Sequence, residues 1–211
     1  MASASADAAR VSVETLLELS GEDTPAAATT LVARGMGLTD IGPPFAPFTS
    51  LEVLSLSDNE LTSLAGIRNM PHLTSLNVNL NRIASLEPLA HCPMLAHLYA
   101  SNNKISSVAP LAACRNLASI SLYRNQIPSL ESTVGTLARL PKLAELDLAS
   151  NPCALGPPYR HRIISSLRFL KTFDGESSHP NAWYCHVRDS IFLAARLCSS
   201  FHDTTQAFVH T

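Results

Sequence analysis

The chain has 211 residues, 46% of them hydrophobic, with a formal charge of −2 at pH 7 and a sequence pI near 6.4. That length and apolar content suffice for a sizeable core, while the charge balance gives no general affinity for nucleic acid or anionic membranes. No apolar run approaches the roughly 18 to 20 residues needed to cross a bilayer, and MASASADAARVSVETLLELS lacks a basic stretch followed by an apolar one, so a soluble intracellular protein is expected.

In chain order, the first predicted element is a short helix. In SVETLLELS, residues 12–20, Val13, Leu16 and Leu17 fall on one helical face and Glu14 and Glu18 on the other. A loop, GEDTPAAATT, leads to ATTLVARGMGL at 28–38, the first and weakest member of a set. LEVLSLSDNEL (51–61), LTSLNVNLNRI (73–83), LAHLYASNNKI (95–105), LASISLYRNQI (117–127) and LAELDLASN (143–151) share one frame, L-x-x-L-x-L-x-x-N-x-L. Their starts lie 22, 22, 22 and 26 residues apart. In the first copy Leu31 and Leu38 keep their places, but Met36 stands where the others have asparagine, a deviation expected of a terminal repeat.

The frame has a physical reading. Within x-L-x-L-x the side chains alternate, so the leucines point to one side of a short strand and the intervening residues to the other. The chain then turns sharply, and the turning backbone groups, buried between coils, need partners other than water. An asparagine amide supplies donors and an acceptor, so Asn59, Asn81, Asn103, Asn125 and Asn151 are predicted to form a structural ladder. The second half of each repeat brings Leu64, Ile67 and Met70, then Leu86, Leu89 and Cys92, then Val108, Leu111 and Cys114, to the far wall of the core. Pro71, Pro88, Pro93 and Pro110 suit loops and short 3₁₀ or helical turns there. The frame is that of the leucine-rich repeat. The expected fold is α/β, a leucine-rich-repeat solenoid with a concave parallel β-sheet, convex loops and 3₁₀ turns, and helical caps.

After the repeats, NPCALGPPYRHRIISSLRFLKTFDG at 151–175 resembles the leucine-rich-repeat cap that follows 22-residue repeats. Asn151, Pro152, Tyr159, Arg160, Leu170, Lys171, Asp174 and Gly175 fill the cap's places, and Arg168 stands where the pattern often carries proline, a change confined to the helix exit. The expected division is a capping helix and loop over 1–27, six repeats over 28–150, the cap over 151–175, and a linker with a C-terminal helix or tail over 176–211. In that last part Trp183, Val187, Ile191, Ala194 and Cys198 form a helical stripe, which either folds back on the solenoid end or enters a partner's groove. Cys185, His186, Cys198 and His202 match no zinc spacing, so no metal is expected.

Residues 28–175 resemble a small intracellular family of 22-residue leucine-rich repeats ending in this cap. Its members include the leucine-rich-repeat light chain of outer-arm dynein, the regulatory subunit of nuclear protein phosphatase 1, the spliceosomal A-prime protein and the acidic nuclear phosphoproteins. The acidic tail of the last group is absent. The resemblance implies a non-enzymatic binder that holds another macromolecule against its concave sheet or the sheet's edges.

Strand positions not taken by leucine form columns on that face. Most are small and polar. Leu80, His97, Tyr99, Tyr123 and Arg124 stand out, and with Asn77 beside them they make the candidate contact patch, flanked by an acidic end at Glu145 and Asp147 that suits a basic partner surface. His97 with Ser75 and Ser119 is the nearest approach to a catalytic pair, but a sheet surface excludes water poorly, and no catalysis or cofactor is expected. The expected partner is a protein of unknown identity, with no direct nucleic acid contact, no membrane, and a monomer when the partner is absent. A cytoskeletal or ciliary adaptor is the first reading. A phosphatase regulatory subunit and a structural component of a nuclear ribonucleoprotein stay open, as do cytoplasm, cilium or flagellum, and nucleus.

Overall fold

The computed structural model describes residues 11–177, and the chain divides into two units, 1–175 and 176–211, with the repeats in the first. The stripe from Trp183 to Cys198, and the cysteines and histidines around it, lie outside the described residues. Helix α1 (Val13–Ser20) starts where the Ser12 hydroxyl accepts the Thr15 N–H at 3.2 Å, and stops at Gly21, whose left-handed backbone returns its own N–H to Leu17 O. Leu16 is fully buried while Glu14 and Glu18 face out, as the period requires.

Each x-L-x segment then forms a three-residue strand: β1 (Thr30–Val32), β2 (Val53–Ser55), β3 (Ser75–Asn77), β4 (His97–Tyr99), β5 (Ser119–Ser121) and β6 (Glu145–Asp147). A two-residue strand, β7 (Thr172–Phe173), follows. Neighbours pair in parallel in sequence order, which sets Leu31, Leu54, Leu76, Leu98, Ile120, Leu146 and Phe173 in one buried row. The alternation leaves the flanking residues on the open face.

Asparagine bonds hold successive coils together. Asn81 Nδ2 donates to Leu56 O in the preceding coil at 2.9 Å, and to Val78 O and Asn79 O in its own turn, while its Oδ1 accepts the Leu61 N–H at 2.9 Å. Asn59, Asn103, Asn125 and Asn151 make equivalent bonds, each reaching one coil back. Met36 has no coil before it whose carbonyl an asparagine could serve. Its N–H, with that of Leu38, instead donates to Asn59 Oδ1.

On the convex side the 3₁₀ helices Ala65–Asn69, Glu87–His91 and Ala109–Ala113 bury Ile67, Leu89 and Leu111. The 26-residue repeat differs. Its return is an α-helix, α2 (Leu130–Leu137), capped by Ser129 accepting the Ser132 N–H. An α-helix rises about 1.5 Å per residue against about 2.0 Å for the 3₁₀ form, so a given span takes more residues, which accounts for part of the additional length. Cys92 and Cys114 replace Met70 in the wall. The Cys114 thiol donates to Leu89 O at 3.1 Å, and burial pushes both thiols up to about 11.

At the C-terminal end, Pro152–Ala154 forms a 3₁₀ turn and Tyr159–Ser166 a helix, α3. After β6 a carboxylate stands in for a backbone carbonyl: Asp174 Oδ1 accepts the N–H groups of Leu148 at 2.9 Å and Ala149 at 3.1 Å, as the carbonyl of a further coil would. Its Oδ2 accepts the Tyr159 hydroxyl at 2.9 Å, and the Tyr159 ring packs 5.2 Å from that of Phe173. Burial is the first cause raising both the Asp174 carboxyl and the Tyr159 phenol above their ordinary values, with the N–H of Leu148 opposing it at Asp174. At Arg168 the chain leaves α3 through an exposed turn over 168–169.

Candidate functional site

Strand register sets the concave columns. Thr30, Val53, Ser75, His97, Ser119, Glu145 and Thr172 are Cα partners in one row, and Val32, Ser55, Asn77, Tyr99, Ser121 and Asp147 in the next. Adjacent strands lie about 4.8 Å apart, so Tyr99 sits one strand from Asn77 and about 10 Å from Asp147. Tyr123 lies one strand over from Tyr99 and further along, where its carbonyl accepts the Asn102 N–H. Tyr99 is 36% exposed, Tyr123 39% and Leu80 48%, on a floor where Ser101 and Ser119 are buried. Ser119 is the Cα partner of both His97 and Glu145.

The candidates do not all present free polar groups. Asn77 Oδ1 accepts the Asn79 N–H at 3.1 Å, and Asp147 Oδ1 accepts the Ala149 N–H at 3.2 Å, so one oxygen of each is engaged in ending its own strand. Asn79 bridges coils by accepting the Ser101 N–H at 2.7 Å, and the Ser101 and Ser121 hydroxyls share a bond of 2.8 Å. These bonds tie successive coils of the floor together beneath the tyrosines. No hydrogen bond joins His97 to Ser75 or Ser119, and His97 stands exposed. Among the described residues no group of three or more His, Cys, Asp or Glu is placed to hold a metal, and no helix is long and apolar enough to cross a membrane.

One feature of the patch carries no signal in the residues themselves. Leu80 and Arg124 have left-handed backbone, φ 57° and 55°, as do Gly35, Asp58, Asn102 and Ser150 at the equivalent turns. Glycine, asparagine and aspartate tolerate that region, whereas leucine and arginine are strained in it by about 1–2 kcal/mol. The two bulkiest side chains of this column therefore occupy the turn at a cost to the fold.

Seven parallel strands, one per turn of chain, with an asparagine ladder behind them and an open face before them, define a solenoid of leucine-rich repeats. Comparison agrees: two copies of the family model Leucine Rich repeats match residues 49–91. The chain carries the leucine-rich-repeat fold. No curated protein matches it. Among solved structures it is similar to an internalin of Listeria monocytogenes, at 23% identity and TM-score 0.59 over 77% of this chain and 49% of that one. It is also similar to a leucine-rich-repeat protein of Leptospira interrogans, at 26% identity and TM-score 0.56 over 64% of this chain and 34% of that one. A third neighbour is the plant peptide hormone receptor RGFR1 in complex with RGF2, at 22% identity and TM-score 0.52 over 69% of this chain and 24% of that one. The chain thus spans half or less of each of these proteins, and the likeness is one of fold.

Proposed function

We propose that the chain is a non-enzymatic protein–protein interaction scaffold that holds a partner protein on its concave face, around Leu80, His97, Tyr99, Tyr123 and Arg124, with Asn77, Glu145 and Asp147 at the margins. The observation that carries this reading is the pair of half-exposed tyrosines on a hydrogen-bonded floor of small residues, beside a leucine and an arginine held in strained left-handed turns. Tyrosine buries a large area with few rotatable bonds, and arginine makes several directional bonds, the two properties that concentrate interface energy. Strain kept at an exposed position points to a use for the side chain there. That RGFR1 is solved in complex with RGF2 fits the same use of the fold.

Within this class, a cytoskeletal or axonemal adaptor is the first reading and a phosphatase regulatory subunit or a nuclear ribonucleoprotein component the alternative, the 22-residue period and the cap being compatible with all three. The location follows the partner. Affinity purification of the full chain, set against Tyr99→Ala with Tyr123→Ala, tests the reading. The main partner is expected to be lost by the double variant while thermal stability holds. Partner capture that survives the substitutions refutes the concave site.

A further inference from the structure

The repeats line up on a second surface. Just before each of β2 to β7 a two-residue turn carries the chain onto the sheet, at 49–50, 71–72, 93–94, 115–116, 141–142 and 168–169. Register stacks these turns, so Arg115, Pro141 and Arg168 form one row along the leading rim, and Asn116, Lys142 and Phe169 the next. Lys142 Nζ donates to Asn116 Oδ1 at 2.7 Å, a bond between successive turns. Arg139 just after α2 and Lys171 just before β7 flank the rows.

Arg115, Arg139, Lys142, Arg168 and Lys171 are all exposed, and none has a described carboxylate oxygen within 4 Å. The trailing rim differs: there Arg34 faces Asp58 at 3.9 Å, and Arg82 pairs with Glu60 at 3.1 Å. Between 61 and 144 the only carboxylates are Glu87 and Glu131, and Arg162 holds Glu131 through two hydrogen bonds. A chain of net charge −2 thus carries a cluster of unpaired cations on the 115–171 part of this rim. The same rim opens, between the ends of α2 and α3, into a cleft of about 140 Å³ lined by Leu137, Leu140, Leu143, Leu167, Arg168 and Phe169. Phe169 is 69% exposed at its mouth. In size it compares with an enclosed apolar cavity of about 150 Å³, which takes up one benzene ring, though Ser166 and Arg168 add polar edges here.

We propose that the leading rim over residues 115–171 docks an acidic polypeptide segment, whose carboxylates meet these cations and whose one apolar side chain enters the cleft beside Phe169. The rows cross three coils, about 10 Å at the spacing of adjacent strands, which suits a short segment. A long polyphosphate or a flat lipid surface extends further. It would press against Glu145 and Asp147 on the adjoining concave edge, where negative charge repels it, and neither places a lone side chain in a cleft. This surface is separate from the concave patch and does not depend on it.

The test is fluorescence anisotropy on the full chain with a labelled synthetic peptide of glutamates around one phenylalanine. The same peptide with alanine for phenylalanine, a uridine homopolymer, and phosphatidylserine–phosphatidylcholine vesicles run alongside. The phenylalanine peptide is expected to bind best, and Lys142→Glu with Arg168→Glu to weaken it about tenfold or more. Arg115→Glu with Arg139→Glu repeats the test with different residues, all four being exposed. Raising salt from about 0.1 M to 1 M shortens the screening length from about 10 Å to 3 Å and should release the peptide. Tyr99→Ala with Tyr123→Ala should leave this binding unchanged, so its outcome is distinct from that of the concave site. Equal binding by the charge-reversed chains or by the alanine peptide overturns the proposal. So does tighter binding to the homopolymer or the vesicles, or a self-association of the chain that charge reversal dissolves.

Discussion

Replacing Asn81 by alanine removes one rung from the middle of the ladder, and the structure fixes what is left behind. Leu56 O keeps the amide of Asn59, and Val78 O keeps that of Asn103, so neither carbonyl is orphaned. The Leu61 N–H, which Asn81 Oδ1 accepts at 2.9 Å in a buried turn, has no such reserve. One orphaned buried donor costs about 1–3 kcal/mol, so Asn81→Ala is expected to lose that much rather than the sum of its four bonds. Asn81→Asp keeps the acceptor but turns a second oxygen toward Leu56 O and Val78 O, which the amide had served as donor. That carboxyl would titrate above the ordinary carboxylate range. A raised folded value confers stability that is present below the unfolded value and lost as pH rises through the folded one, so the Asp variant should be weaker at about pH 7 than at about pH 4.5. Urea unfolding of the three chains at both pH values reads these differences. A loss under about 0.5 kcal/mol for Asn81→Ala, the level of an ordinary surface change, or a pH-independent Asp variant, would refute the reasoning.

Other consequences are equally direct. Leu80→Asn relieves the left-handed strain and should stabilise the fold by about 1 kcal/mol while weakening partner capture; a destabilised variant in thermal melts would mean that the leucine supports the fold instead. Asp174→Asn keeps the Oδ1 that accepts from Leu148 and Ala149 but cannot titrate. Because burial raises the Asp174 carboxyl, its stabilising share is lost as pH rises out of the carboxylate range, and the Asn variant should show a flatter stability profile above about pH 4 in melts across pH. Gly66→Ala would drive a new Cβ into the Ile41 carbonyl oxygen and side chain, and the forced backbone shift should cost about 1–3 kcal/mol in denaturant titration.

The repeat architecture was legible because its two signals are local and periodic: leucines in alternation, and an asparagine wherever a turn must be satisfied from the side chain. Two concave columns follow from the same alternation, and the strand register aligns them as the rows Thr30 to Glu145 and Val32 to Asp147. Helix α2 was only hinted at, by a repeat of 26 residues among repeats of 22, since a length difference does not say which helix type absorbs it. The left-handed turn at Leu80 and Arg124 was invisible at those residues. Gly35 and Asn102 in the same column carry the turn signal, and leucine and arginine do not. The internal duties of Asn77 and Asp147 were hidden for a different reason: whether a polar side chain faces solvent or its own backbone depends on a rotamer that no residue pattern specifies. The cationic rim escaped a reading confined to strand positions, because its residues lie at turns whose alignment appears only once the coils stack.

The most direct test of the central claim is photocrosslinking with a benzophenone-bearing phenylalanine placed either at position 99 on the concave face or at position 87 on the convex side, each in the full chain. The account predicts that position 99 traps the protein recovered in affinity purification, and that position 87 does not. Crosslinking from position 87 with none from position 99 would contradict it and move the partner to the convex side.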